Sequence, residues 1–344
     1  MIGPPRSAAT GIGGLPHTDP VLACDDVLGV FPHFPYIPTL PERSRLESIV
    51  YNDSEQMPGL VLRDERLLFD NRRDSTEEFE KILLDYLERN FNGYGLSIPY
   101  ASGFVEMMRR NLSGKPVLKC QVTGPVTFGM QIVDCEKRPI LYNPQIADIL
   151  SKMLALKARW CERQMQKATG GCDTLVVLNE PYLASLGSSV VPIDPEIVIS
   201  GWNDIASLIE GGLGIHCCSN TDWEFVMNLN PSVISLDAYA MAKEFLLYSE
   251  SIAGYLERGG VIAWGIVPAD YRIFREETTE NLYQRYLTIR NHISSYVPKA
   301  LFDRQSLITP SCGIRFADRD GACAIMQAAA DISAKIREAG GDLL

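Results

Sequence analysis

Long apolar runs are missing from this 344-residue sequence. No run reaches the roughly 18 residues that a membrane-spanning helix needs, and the opening MIGPPRSAATGIGG has no apolar core of the signal-peptide type. Runs of like charge are also missing, and the formal net charge is −11. A phosphate backbone or an anionic membrane would on average be repelled. These absences predict a cytoplasmic protein with no nucleic-acid partner and no membrane partner.

The sequence also lacks internal repeats, low-complexity linkers and a glycine-rich dinucleotide-binding fingerprint. GIGGLP has the glycines but not the GxGxxG spacing that would follow the first strand of a doubly wound dinucleotide-binding fold. Hydrophobic residues make up 46% of the chain, which is enough to bury a substantial core. We expect a single domain over residues 1–344.

Eight short apolar runs punctuate the chain, and most are followed by an amphipathic stretch. They are TGIGG, FPYIPTLP, PVLKCQVTGP, DTLVVLNEP, GLGIHCCS, SVISLDAY, GVIAWGIVP and SLITPSCG. Asp19-Pro20, Asn143-Pro144 and Asp194-Pro195 have the acceptor and proline that begin helices. Apolar strands that alternate with helices predict a parallel sheet covered by those helices. Eight such units predict an α/β fold, the (β/α)₈ TIM barrel.

One segment departs from this alternation. Residues 45–116 contain a predicted hairpin (GLVLRDERLLFD), a strongly amphipathic helix (STEEFEKILLDYLERNF) and a shorter helix around Phe104 to Leu112. All three lie between the second and third predicted strands. The pattern predicts an insertion near the barrel mouth.

The cysteines point to metal or thiol chemistry. Their number, nine, is odd, and in a cytoplasmic chain they are expected to be reduced. Side chains two apart in a strand share a face, so GIHCCS directs His216 and Cys218 into the lumen and Cys217 towards the helices. Cys312 ends the last strand, in TPSCGI. One imidazole and two thiolates at strand ends form a plausible zinc set, although cysteine is also common as a small buried hydrophobe.

Several strand-end motifs together resemble a known family. GIHCCS, ISLDAY and TPSCGI, with TGIGGLPHTDP, VTGPVT and NEP, are similar to motifs in the catalytic half of cobalamin-independent methionine synthase and its relatives in the uroporphyrinogen decarboxylase-like superfamily. The resemblance implies a (β/α)₈ barrel with Zn²⁺ bound by His216, Cys218 and Cys312. Asp237 stands where the family has a glutamate ligand, so it would ligate or support the metal. The implied reaction is methyl transfer to a thiol, with homocysteine becoming methionine.

Two positions depart from the family pattern around the amino group of homocysteine. Asn179 replaces an aspartate in the fourth-strand motif, and Leu40 takes the place of a glutamate in the second. The residues expected to orient or activate the acceptor are Asn179, Glu180, Glu42, Gly13, Gly14 and Asp237.

The methyl donor is also expected to differ. Family members that use folate have a tryptophan where this chain has Gln131, and Phe128 lies nearby. We therefore favour a methyl-corrinoid, free or bound to a corrinoid protein, over methyltetrahydrofolate. Three alternatives stay open: methyl transfer to another thiol such as coenzyme M, a metal-free decarboxylase acting on tetrapyrroles, and an accessory protein that binds corrinoid or zinc without turnover.

Overall fold

The computed structural model describes residues 2–314 and 316–340. The strands are β1 Ala8–Ala9, β2 Leu60–Arg63, β3 Arg66–Phe69, β4 Val117–Thr123, β5 Asp173–Asn179, β6 Gly212–Cys217, β7 Val233–Leu236, β8 Val261–Val267 and β9 Ser306–Pro310. The helices are α1 Pro20–Val30, α2 Thr76–Leu87, α3 Ser102–Met107, α4 Pro125–Gln131, α5 Pro144–Thr169, α6 Pro195–Ala206, α7 Trp223–Asn228, α8 Ala238–Phe245, α9 Ser249–Glu257, α10 Tyr271–Phe274, α11 Thr279–Ile293, α12 Lys299–Arg304 and α13 Arg319–Gly340. Short 3₁₀ helices cover Arg45–Glu47, Tyr51–Asp53, Ile140–Tyr142, Pro181–Ser185 and Leu246–Tyr248.

A curled parallel sheet forms the centre of the molecule. Within the described residues its seven strands run in the order β1-β9-β8-β7-β6-β5-β4. Consecutive strands from β4 to β9 pair in parallel with helices between them. The α/β fold predicted from the sequence is confirmed, and the sheet is compatible with a TIM-barrel-like arrangement.

The second predicted strand, FPYIPTLP, does not form a regular strand. The segment still bonds to edge strand β4 and to the turn that follows β1: Ile37 N–H donates to the Lys119 carbonyl (2.8 Å) and Leu15 N–H to the Thr39 carbonyl (2.9 Å). Isolated bridges pair residues 36 with 119 and 14 with 39. Prolines 32, 35, 38 and 41 lack the backbone donors that a continuous ladder needs. The segment therefore lies in the gap between β1 and β4 without extended pairing.

The predicted helix starts are confirmed. The side chain of Asp19 accepts a hydrogen bond from Val21 N–H, and Asn143 and Asp194 cap α5 and α6 in the same way. Each cap satisfies a backbone donor that has no partner within the helix. The three side chains thus determine where the helices outside the sheet begin.

The segment between the second and third predicted strands contains an antiparallel hairpin, β2 and β3, followed by α2 and α3. It is attached to the end of β4 by hydrogen bonds. Thr123 N–H donates to the buried Asp53 carboxylate (2.7 Å), and Val50 N–H donates to the Thr123 hydroxyl (3.0 Å). The single-domain prediction and the insertion boundaries 45–116 stay predictions.

The core has two parts. One small cluster lies inside the curl of the sheet and consists of Ala8, Phe34, Val117, Leu175, Val177, Val233, Val261, Ala263 and Leu307. A larger cluster lies between the sheet and the helices and includes Cys217. In the part of the chain that the structure describes, no helix combines the length and the apolar character needed to span a membrane.

Candidate metal centre

The carboxyl ends of neighbouring strands bring the predicted chemical groups together. The parallel register pairs Asn179 on β5 with His216 on β6, and His216 with Ser235 on β7. Cys218 follows the last residue of β6, and Cys312 follows β9 by two residues. Because parallel strands end at one edge, side chains that are distant in sequence share one site.

His216, Cys218 and Cys312 form a compact cluster. One ligand atom from each lies within 4.8 Å of the other two. His216 is buried, and its Nδ1 lies 2.9 Å from the Ser235 hydroxyl, which orients the ring. The other ring nitrogen, Nε2, is buried and has no hydrogen-bond partner in the described structure. A buried ring nitrogen without a partner, beside two thiols, fits a metal ligand, and this sulfur-rich donor set fits zinc.

The two sulfur atoms are electrostatically unequal. A hydrogen bond from the Cys218 thiol is the largest cause that lowers the pKa of Cys312, and the neighbouring His216 ring lowers it further, against the opposing effect of burial. The same Cys312 sulfur raises the pKa of Cys218, and burial raises it further. The shifts indicate that Cys312 is the first of the two sulfurs to ionise.

Cys217 lies on the opposite face, as strand alternation predicts. Its side chain is fully buried in the outer core. Burial raises the pKa of this thiol to about 11. It is therefore an inert packing residue rather than a third sulfur ligand.

Asp237 lies near the cluster but outside it. Its Oδ1 accepts a hydrogen bond from Ala240 N–H (2.9 Å) and so caps α8. Burial raises the pKa of Asp237, and the negative charge of Cys312 adds to that shift. The Asp237 side chain thus caps a helix, and it is not part of the group of potential metal ligands formed by His216, Cys218 and Cys312.

A cavity of about 430 Å³ opens beside the cluster. It contacts all three clustered residues and also Gly13, Gly14, Asn179, Gln121, Glu47, Ser311 and Phe316. Gly13 and Gly14 donate no hydrogen bond from their N–H groups within residues 2–314 and 316–340. Two such groups in one turn can bind a carboxylate. Gly13, Gly14 and Asn179 thus lie on the cavity wall, and the acceptor-binding roles predicted for them stay proposals.

Glu42 and Glu180 take other positions than those expected. Glu42 is exposed and does not contribute to the described cavity wall, where Glu47 lies instead. Glu180 is buried and accepts hydrogen bonds from the N–H groups of Val126 (3.0 Å) and Thr127 (2.7 Å) at the start of α4. Strand alternation turns Glu180 away from the face that Asn179 occupies. In this structure Glu180 supports the start of α4, and the acceptor-binding role expected for it stays a prediction.

Glu180 leads to a pH-dependent prediction. Burial raises its pKa from 4.5 to about 7, although the Thr127 and Val126 donors oppose the shift. The native state then retains a proton that the unfolded chain releases, so this contribution to stability is complete below pH 4.5 and is lost as the pH rises through 7. We expect the wild type to lose about 3 kcal/mol relative to Glu180→Gln between about pH 4.5 and pH 8. Urea unfolding across this range measures the difference, and parallel curves would contradict the prediction.

The aromatic rings of Phe128 and Trp264 are too buried to stack on a bound methyl donor. Phe128 and Trp264 are fully buried, and the Trp264 ring stacks on Phe302. Gln131 is exposed on α4. Phe316, which sequence reasoning did not select, is 78% exposed and contacts the cavity. An apolar surface for a large donor is therefore offered by the loop after β9 rather than by α4.

Two buried polar residues on β4 were also missed. Lys119 is buried, and its ammonium group donates to the Gly11 carbonyl, just before the glycine turn. Gln121 is buried on the cavity wall and donates to the Asn179 side chain. The signal was the presence of a lysine and a glutamine in the otherwise apolar run PVLKCQVTGP.

A second cluster of potential ligands joins α1 to α13. His17 Nε2 lies 2.8 Å from an Asp26 oxygen, and the Cys323 thiol lies 3.3 Å from the same atom. Both Asp26 oxygens also accept from Arg319 (2.8 and 2.9 Å), which with His17 lowers the pKa of Asp26 to about 2. The guanidinium already neutralises the carboxylate, so this cluster is a structural ion pair and not a second metal centre.

Comparison with known proteins shows the fold. No protein-family profile and no curated protein matches this chain. Among solved structures, a B12-independent methionine synthase from Shewanella sp. W3-18-1, in complex with selenomethionine, is similar with a TM-score of 0.61 and 14% identity. The alignment covers 97% of this chain and 98% of that one. The two proteins therefore share one fold along nearly their whole lengths.

Proposed function

We propose that this protein is a zinc-dependent methyltransferase whose acceptor is a small thiol. The observation that carries the proposal is the convergence of one His216 ring nitrogen and the sulfurs of Cys218 and Cys312 within 4.8 Å at a cavity. The buried His216 Nε2 also has no hydrogen-bond partner among the described residues. The similarity to a methionine synthase structure supports it. The proposed fold is a closed (β/α)₈ barrel, supported by the hydrogen bonds of residue 37 to β4 and of residue 39 to the turn after β1.

Each part of the site has a distinct task in this reaction. His216, Cys218 and Cys312 would hold the metal, and Ser235 orients the imidazole. Zinc, when bound, supplies a Lewis acid that favours the deprotonated form of an acceptor thiol. The acceptor sulfur then forms the new bond to the methyl carbon while the bond from that carbon to the donor breaks. The thiol proton is released, and the donor's bonding electron pair leaves with the donor.

The cavity wall positions the acceptor. The free N–H groups of Gly13 and Gly14 are placed to hold its carboxylate. Asn179 lies beside His216 in the strand register, so it contacts the part of the acceptor next to the sulfur. Homocysteine is the acceptor that the resemblance implies. Asn179, in place of a carboxylate, specifically favours the second candidate, a thiol without a free ammonium group.

The donor proposal rests on the aromatic side chains. With Phe128 buried and Gln131 exposed on α4, the described structure presents no ring where a folate-using member of the family has its tryptophan. A methyl-corrinoid, free or protein-bound, stays the proposed donor.

One experiment tests metal, reaction and donor together. Purified protein is analysed for metal and then assayed with homocysteine, offering methylcobalamin and methyltetrahydrofolate side by side. We expect stoichiometric zinc and methyl transfer from methylcobalamin only. Transfer from methyltetrahydrofolate would reverse the donor assignment. Stoichiometric zinc without methyl transfer to homocysteine would contradict homocysteine as the acceptor, and a protein without zinc would remove the proposed centre.

A further inference from the structure

A pair of side-chain amides lies on the cavity wall next to the metal cluster. Gln121 on β4 donates from Nε2 to Oδ1 of Asn179 on β5, and both residues contact the cavity. Gln121 is only 8% exposed. The register places Asn179 directly beside His216. Whatever binds near the metal therefore meets this amide pair.

The amide pair has hydrogen-bonding capacity left over. Gln121 Oε1 is buried and accepts no hydrogen bond, and Asn179 Nδ2 donates none among the described residues. Rotating both amides together exchanges the atoms but still leaves one donor and one acceptor. Buried polar groups in native proteins are almost always partnered, so the unpartnered Gln121 Oε1 on the cavity wall points to a ligand. Asn179 is only half-buried, and its Nδ2 lies beside that atom as a donor for the same ligand.

No unpaired charge accompanies the pair. The carboxylates on the described cavity wall belong to Glu47 and Asp270. Glu47 accepts from Arg43 and from Ser102, and Asp270 accepts from Arg272. A ligand ammonium at the amide pair would lose its water without gaining an ionic partner, which is unfavourable.

We propose that the amide pair binds an uncharged carboxamide next to the acceptor sulfur, so that the acceptor is an N-acylated thiol amino acid rather than a free one. This inference rests on the proposed function and names its substrate class. An ammonium offers three donors and no acceptor, and a carboxylate offers acceptors only, whereas a secondary amide offers one of each. The cavity of about 430 Å³ falls within the range of roughly 300–1,000 Å³ that holds larger small molecules, so it has room for an acyl group.

The absence of a side chain at Gly13 leaves room for the Gln121 amide. A Cβ atom at residue 13 would lie 2.8 Å from Gln121 Oε1, closer than such contacts occur. The nearest atoms to a Cβ at Gly14 would be 3.8 Å away, in ordinary contact. The bare turn at Gly13 therefore leaves room for the amide beside the N–H groups that would bind the ligand carboxylate.

Calorimetric binding of three thioethers tests the inference without a methyl donor. Methionine, N-acetylmethionine and 4-(methylthio)butanoate share the carbon chain and carboxylate and differ only in the group at the amide pair. We expect N-acetylmethionine to bind about tenfold more tightly than either of the others, which is the value of one good hydrogen-bonded group. Gln121→Met should remove this advantage, and Gln121→Glu should shift the preference to methionine, whose ammonium would then meet a carboxylate.

A matched glycine pair gives a second, independent test. Gly13→Ala should displace the Gln121 amide and reduce the ratio of N-acetylmethionine to methionine affinity, whereas Gly14→Ala should leave that ratio unchanged. Tighter binding of methionine by the wild type, an unchanged ratio in Gln121→Met, or failure of all three thioethers to bind would overturn the inference. A protein that prefers N-acetylmethionine but binds no zinc and transfers no methyl group would instead contradict the proposed function.

Discussion

Cys312→Ser should lose zinc and methyl transfer together while the protein stays folded. Cys312 supplies one of three converging ligand atoms, and its sulfur has the lowered pKa of the pair. Substituting a residue that only hydrogen-bonds to a metal ligand lowers metal affinity by up to about a hundredfold. Removing a direct ligand should lower the affinity for zinc by at least about that factor. Because the side chain is only partly buried, the substitution should change stability little.

Metal content, methyl transfer and thermal unfolding measured on one preparation decide this prediction. Cys172→Ser is a suitable control, since that thiol is also partly buried and lies outside both clusters of potential ligands. We expect the control to retain full zinc and activity. Stoichiometric zinc in Cys312→Ser would remove residue 312 from the site. Loss of zinc accompanied by unfolding would point to a structural rather than a catalytic metal.

Lys119→Met should stabilise the protein at neutral pH and lose that advantage at high pH. Burial lowers the pKa of Lys119 from 10.5 to about 7, so the unfolded chain binds a proton that the native state releases. The stability contributed by this lysine is therefore complete above pH 10.5 and declines as the pH falls towards 7. Methionine has a similar shape and no charge to desolvate.

Urea unfolding at two pH values measures this effect. We expect Lys119→Met to gain about 3 kcal/mol on the wild type as the pH is lowered from about 9.5 to about 6.5. Lys115→Met provides the control, because Lys115 also donates to a carbonyl, that of Pro32 (3.1 Å), but at the surface. A pH-independent difference between Lys119→Met and the wild type would show that Lys119 stays charged when buried.

Although Lys119→Met should stabilise the protein, it would also remove a hydrogen bond next to the turn at Gly13 and Gly14. Its Nζ group donates to the Gly11 carbonyl, and the backbone continues from Gly11 into the turn that contacts the cavity. Polar groups retained at a cost in stability are common at functional sites. Lys119 thus connects the interior of the sheet to the proposed carboxylate-binding turn.

Much of the fold could be predicted because local rules determine it. The caps at Asp19, Asn143 and Asp194 lie at the predicted helix starts, since an acceptor followed by proline satisfies the first backbone donors wherever it occurs. The apolar runs from β4 to β9 became parallel strands because continuous apolar stretches suit a sheet that is buried on both faces. FPYIPTLP was the exception, because its prolines remove the donors that a regular strand requires.

The cluster of His216, Cys218 and Cys312 was predictable from strand alternation and from motifs at strand ends. His216 and Cys218 are two residues apart and share a face, whereas Cys217 turns outward into the core. The proximity of Cys312, almost a hundred residues away, depends on how the strands are ordered in the sheet. Motif resemblance therefore anticipated a contact that spacing by itself could only make plausible.

Amino-acid sequence alone determined which residues could act as soft ligands, where the helices begin and which strand face each side chain occupies, because these depend on periodicity and on near neighbours. Tertiary structure decided which polar groups keep a partner. It directed Glu180 to the start of α4, used Asp237 as a helix cap, and left Gln121 Oε1 without a partner at the cavity. Hydrogen-bond partners that lie on different strands are chosen by packing, and no local pattern records that choice.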